Sequence, residues 1–75
     1  MELTQLAASS RGWLAERAQI ALELQQQHAQ GDISDSEYQE LMEDLARSDT
    51  LNEEADDQEL KNALVSAIMV ASKLA

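Results

Sequence analysis

Residues 31–45, Gly31-Asp32-Ile33-Ser34-Asp35-Ser36-Glu37-Tyr38-Gln39-Glu40-Leu41-Met42-Glu43-Asp44-Leu45, read as the end of one helix and the start of the next. Gly31 stands where a stopping helix needs a left-handed residue, a conformation in which any Cβ is crowded. Ser34 followed by Glu37 is a capping box: the serine hydroxyl accepts from the Glu37 N–H while the Glu37 carboxylate accepts from the Ser34 N–H. Ile33 and Tyr38 flank this cap at the spacing of a hydrophobic staple. Four local signals agree on a helical hairpin.

Upstream of the turn, the pattern predicts a helix over about residues 10–30. Ser9, Ser10 and Gly12 leave open whether the opening decapeptide continues this helix or precedes a fresh start. On a helical wheel Glu16, Gln19, Glu23, Gln26, Gln27 and Gln30 form one polar stripe. Opposite it, Leu6, Trp13, Ile20 and Leu24 centre one edge of an apolar arc, Leu14 and Ala21 lie in its middle, and Ala18 and Leu22 reach its far edge. That arc is wider than the ~100° stripe one neighbour covers, so cover from two sides is expected.

Downstream, a helix over about 34–48 carries Tyr38, Leu41, Met42 and Leu45 as one buried stripe, with Glu43 and Arg47 spaced for an i, i+4 pair. A third helix is expected over about 51–74. Thr50 and Glu53 repeat the capping-box spacing and favour an early start; a solvated acidic link followed by a start near Asp56 is the other reading. Acidic residues in its first turns and Lys73 in its last suit the helix dipole, and Asp57 and Lys61 form a further i, i+4 pair. Leu60, Ala63, Leu64, Ala67, Ile68, Val70, Ala71 and Leu74 make its main apolar arc, and Val65 and Met69 form a short second stripe outside it.

A chain of 75 residues makes a single domain, 1–75, and at this size buries only about 60% of the surface its unfolded form exposes. The absence of cysteine removes disulfides and thiolate chemistry and suits a cytoplasmic setting, and the absence of proline with abundant Ala, Leu, Glu and Gln is the composition of helices. The formal net charge is −10, and between Asp32 and Glu59 twelve carboxylates face a single basic residue, Arg47. Such a chain is repelled by nucleic-acid phosphates and anionic membranes, so neither is an expected partner. The N-terminus lacks the basic flank and apolar core of a secretion signal. No apolar run approaches the roughly 20 residues that span a bilayer.

No catalytic constellation emerges, and the chain reads as a non-enzyme. Asp32, Ser34, Ser36 and Glu43 fall on four positions of an EF-hand frame, but Glu37 stands where that loop requires glycine. His28 is the only histidine and, with no cysteine, cannot build a conventional transition-metal site. Its place near a helix end suits a capping or interface contact. Glu40 and Asp44 share a solvated face, where proximity alone does not make an acid and a base. No metal or cofactor is expected.

The pattern Gly31-x-Ile33-Ser34-x-x-Glu37-Tyr38-x-x-Leu41-x-x-x-Leu45 resembles the short helical hairpin called SHOCT, found at the ends of many bacterial and phage proteins. The resemblance covers a fifth of the chain and implies oligomerisation or docking in a bacterium or bacteriophage, with a virion-associated location in the phage case. It implies no catalytic residue. The chain departs from the family in placing a third apolar helix after the hairpin.

These readings predict an all-α fold, a three-helix hairpin or bundle with the first two helices antiparallel, completed by oligomerisation or docking into a larger assembly. The surplus apolar surface carries that expectation, because large exposed apolar patches generally serve association. The expected protein-contact residues are Trp13, Ile20, Leu24, Val65, Ile68 and Met69, with Trp13 equally suited to filling the gap where the three helices meet. The expected function is that of a non-enzymatic interaction protein, a structural or assembly component. The alternative is an acidic inhibitor or nucleic-acid mimic occupying a basic groove on a host protein.

Overall fold

A computed structural model describes residues 3–73, with the side chains of residues 49 and 50 outside the description. The described residues form five helical segments: α1 (Leu3–Ala7), α2 (Gly12–Ala29), α3 (Asp35–Ala46), α4 (Asp49–Glu54) and α5 (Gln58–Lys73). The expected all-helical architecture is present, with five segments in place of three helices.

The turn between α2 and α3 follows the capping logic in detail. Gly31 has φ 78°. Its N–H donates to the His28 carbonyl at 3.1 Å and the Asp32 N–H donates to the Gln27 carbonyl at 2.9 Å, the paired bonds of a Schellman motif. Both halves of the capping box form, with Glu37 N–H on Ser34 Oγ at 3.1 Å and Ser34 N–H on Glu37 Oε1 at 3.3 Å. Ile33 packs against the core.

At two boundaries that the sequence left open, the chain takes the interrupted form. The opening residues make a separate helix: Ser9 Oγ accepts from the Arg11 N–H at 3.1 Å, and a new helix starts at Gly12. The predicted third helix is split. Ala55 is extended (φ −70°, ψ 114°), and Asp57 Oδ1 accepts from the Leu60 N–H at 3.1 Å, so α5 has its own N-cap. Side-chain hydrogen bonds of this kind compete with helix continuation and explain the interruption. The Thr50 side chain of the expected second capping box, and Leu74 of the expected apolar arc, lie outside what is described.

Leu3, Leu6, Leu14, Ala18, Ala21, Tyr38, Met42, Ala46, Leu51, Leu64, Ile68 and Ala71 form one buried cluster drawn from all five segments. The wide apolar arc of α2 is covered by α1, α3 and α5. α1 therefore supplies, within the chain, much of the cover expected from a partner. Tyr38 Oη, in the first turns of α3, donates to the Ala71 carbonyl near the end of α5 at 3.0 Å. Trp13 and Arg11, at the start of α2, meet Asp56 just before α5. These contacts make α2 and α5 run in the same sense and α3 in the opposite one.

The buried face of α5 is rotated from its expected centre. Leu64, Ile68, Ala71 and Ser72 are buried, Val65 and Met69 pack against the core, and Val70 is 60% exposed. Val70 lies about 200° round the helix from Ile68, nearly opposite it. Ser72 is accommodated inside because its hydroxyl donates to the Met69 carbonyl at 2.7 Å. On α3 the buried stripe is Tyr38, Met42 and Ala46, leaving Leu41 41% exposed. Among the described residues no helix is long and apolar enough to cross a membrane.

Candidate functional site

The residues expected to contact a partner are dispersed by the fold. Ile68 is a correction: its exposure is 0%, in the core of its own chain, so it offers no surface to another. Trp13, Leu24, Val65 and Met69 are half-buried against that same core. Ile20, at 42% exposure, is the one of the six with a large free apolar surface. Leu41 and Val70 join it as large exposed apolar side chains. Helical periodicity hid both, because each lies at the margin of an arc whose centre is set by tertiary packing.

A polar cluster ties the start of α2 to the segment before α5. Asp56 Oδ1 accepts from Arg11 Nη1 at 2.7 Å and from Trp13 Nε1 at 3.0 Å. Arg11 Nη2 also lies 3.8 Å from Asp57 Oδ2. The Trp13 hydrogen bond, opposed by partial desolvation and reinforced by the Arg11 charge, holds the Asp56 carboxyl below its ordinary range. One turn further along α2, Arg17 Nη2 lies 3.7 Å from Glu54 Oε2, and Arg17 Nε is buried with no hydrogen-bond partner. The sequence signal for this cluster was present in the few basic residues of an acidic chain, but the pairing across the fold was not visible.

Neither expected i, i+4 ion pair is made among the described residues. The Asp57 carboxylate instead caps α5 and faces Arg11, so it does not turn to Lys61. Glu43 on α3 and Arg47 at its C-terminal cap lie toward solvent, where such a pair gains too little to hold two long side chains together.

At the other end of α2, the His28 ring stacks on Tyr38 with centroids 4.5 Å apart and an interplanar angle of 14°. His28 Nε2 meets Asp35 Oδ1 at 2.5 Å. His28 thus clips the end of α2 to the first turn of α3, and Ser34 and Glu37 are occupied by the capping box. Among the described residues no group of three His, Asp or Glu side chains is placed to hold a metal ion.

No family model, curated protein or solved structure matches the chain.

Proposed function

We propose that this chain is a non-enzymatic interaction protein, a small structural or assembly component that works by contact with other protein. The supporting observation is the exposure of Ile20, Leu41 and Val70 at 42%, 41% and 60% while the other large apolar side chains among the described residues are more than half covered. A second copy of the chain or a larger assembly is the proposed cover for these residues. A bacterial or phage setting rests on the SHOCT resemblance of residues 31–45 alone. Light scattering after size exclusion tests the reading. A stable oligomer at moderate salt that dissociates in an Ile20→Asp, Val70→Asp double variant supports self-association; an oligomer unchanged by that variant overturns it.

A second reading is favoured by the exposure of Asp32, Asp35, Glu37, Glu40, Asp44, Glu53, Glu54, Asp56 and Glu59. In it the chain is an acidic inhibitor or nucleic-acid mimic that fits a basic groove on another protein. Binding by such a surface weakens steeply between low and moderate ionic strength, whereas apolar assembly does not.

A further inference from the structure

Residues 48–57 are held differently from the rest of the chain. Their helix, α4, is six residues long, well under the roughly 12 at which an isolated helix persists in water. Extended residues bound it on both sides, Ser48 (φ −60°, ψ 131°) and Ala55 (φ −70°, ψ 114°). Its described residues make the sparsest contacts with the other helices, and their contribution to the core is Leu51, fully buried, with Ala55 packed beside the cluster. The other side-chain attachments among the described residues are charged and reach α2 and the residue before it: Glu54 to Arg17, Asp56 to Arg11 and Trp13, and Asp57 to Arg11. Few buried contacts between two backbone breaks are the features of a segment that opens locally.

The receiving surface is imperfectly satisfied by this segment. Arg17 has a side-chain exposure of 12%, yet its best carboxylate is 3.7 Å away and its Nε has no partner. A distance of that length is not a hydrogen bond, and a buried donor without a partner is unfavourable. A carboxylate placed in the plane of the guanidinium would engage Nε and Nη2 together, the bidentate geometry for which the group is suited. Arg11 and Arg17 are two of only five basic residues in the chain, and both face the segment. The two arginines therefore favour carboxylates on the segment that covers them, the built-in occupant adds one fully buried leucine, and it leaves Arg17 incompletely satisfied.

We propose that residues 48–57 are a displaceable strap occupying, in cis, a docking site on α2 for an acidic helical segment of a partner protein that carries one leucine among its carboxylates. Displacement leaves α2, α3 and α5 folded on one another through Leu14, Ala18, Tyr38, Met42, Leu64 and Ile68. The inference rests on the reading that the chain works by protein contact. The two fail separately: a chain that self-associates but shows no strap exchange overturns the strap alone.

The experiment uses the full chain and a synthetic peptide of residues 48–57 added in trans, with Trp13 fluorescence as the binding signal. The double variant Glu54→Gln, Asp56→Asn weakens the cis strap through side chains that are 45% and 65% exposed, so the core is untouched. Because apparent affinity scales with the open fraction, the peptide is expected to bind this variant about tenfold more tightly than the parent chain. The peptide with its leucine replaced by serine is expected to bind neither. Hydrogen exchange on the parent chain should show the Asn52 and Ala55 amides opening at least about tenfold faster than the Tyr38 amide of α3 and the Arg47 amide that caps it. Equal peptide affinity for parent and variant, no peptide binding to either, or strap amides exchanging with those of α3 would each overturn the proposal.

Discussion

The indole Nε1 of Trp13 donates to Oδ1 of Asp56 at 3.0 Å, joining positions 43 residues apart. Arg11 reaches the same oxygen at 2.7 Å. These partners favour the ionised carboxylate, so Asp56 titrates below its ordinary 3.8. A depressed carboxyl stabilises the folded state fully above its unfolded value, and that contribution is lost as pH falls through the folded value. Trp13 fluorescence is therefore expected to change in acid below about pH 4, and Asp56→Asn should show the altered spectrum already at neutral pH. A pH profile identical in the variant would remove Asp56 as the cause.

Tyr38 gives the opposite sign. Burial, partly offset by the Gln25 side chain, raises its phenol above the usual 10.0, and its hydroxyl donates to the Ala71 carbonyl. The neutral phenol is the form that fits. Its contribution is complete below the unfolded value and disappears as pH rises through the folded one. Thermal melts should show stability falling above about pH 10 in the parent chain. Tyr38→Phe should lose about 1 kcal/mol at neutral pH and show a flatter alkaline decline.

The hairpin turn provides a pair of backbone tests. Gly31 has open space around the position a Cβ would take, so Gly31→Ala carries only the conformational penalty of φ 78°, about 1–2 kcal/mol. Gly31→Asn should recover part of it, since asparagine tolerates this region. Ser34→Ala removes the cap on Glu37 N–H and should cost about 1 kcal/mol. In a domain this small each kcal/mol moves the melting temperature by about 4–8 °C.

Val70 and Leu64 separate the observed packing of α5 from the helical wheel. Leu64 is fully buried and Val70 is 60% exposed, although both fall in the arc predicted to be inside. Leu64→Ala is expected to destabilise the chain by about 2–5 kcal/mol, whereas Val70→Ala should stay within about 0.5 kcal/mol in the monomer. Denaturant unfolding measures both. A large loss at Val70 under conditions where the chain is monomeric would contradict the rotated face.

The turn at 31–37 was legible because its signals act over a few bonds: a left-handed glycine, a serine and a glutamate three residues apart, all satisfying nearby backbone groups. Helical composition and the apolar arc of α2 were readable for the same reason, since helix periodicity is local. What filled that arc was not readable. Leu3 and Leu6 come back onto α2 as α1, and nothing in a wheel says that a neighbour will come from the same chain. The rotation of α5 toward Val65, Met69 and Ser72, and the burial of Ile68 depend on which surfaces meet. The Arg11–Asp56–Trp13 cluster and the half-paired Arg17 depend on the same thing. Their energies arise between segments far apart in sequence, so they exist only once the helices are packed.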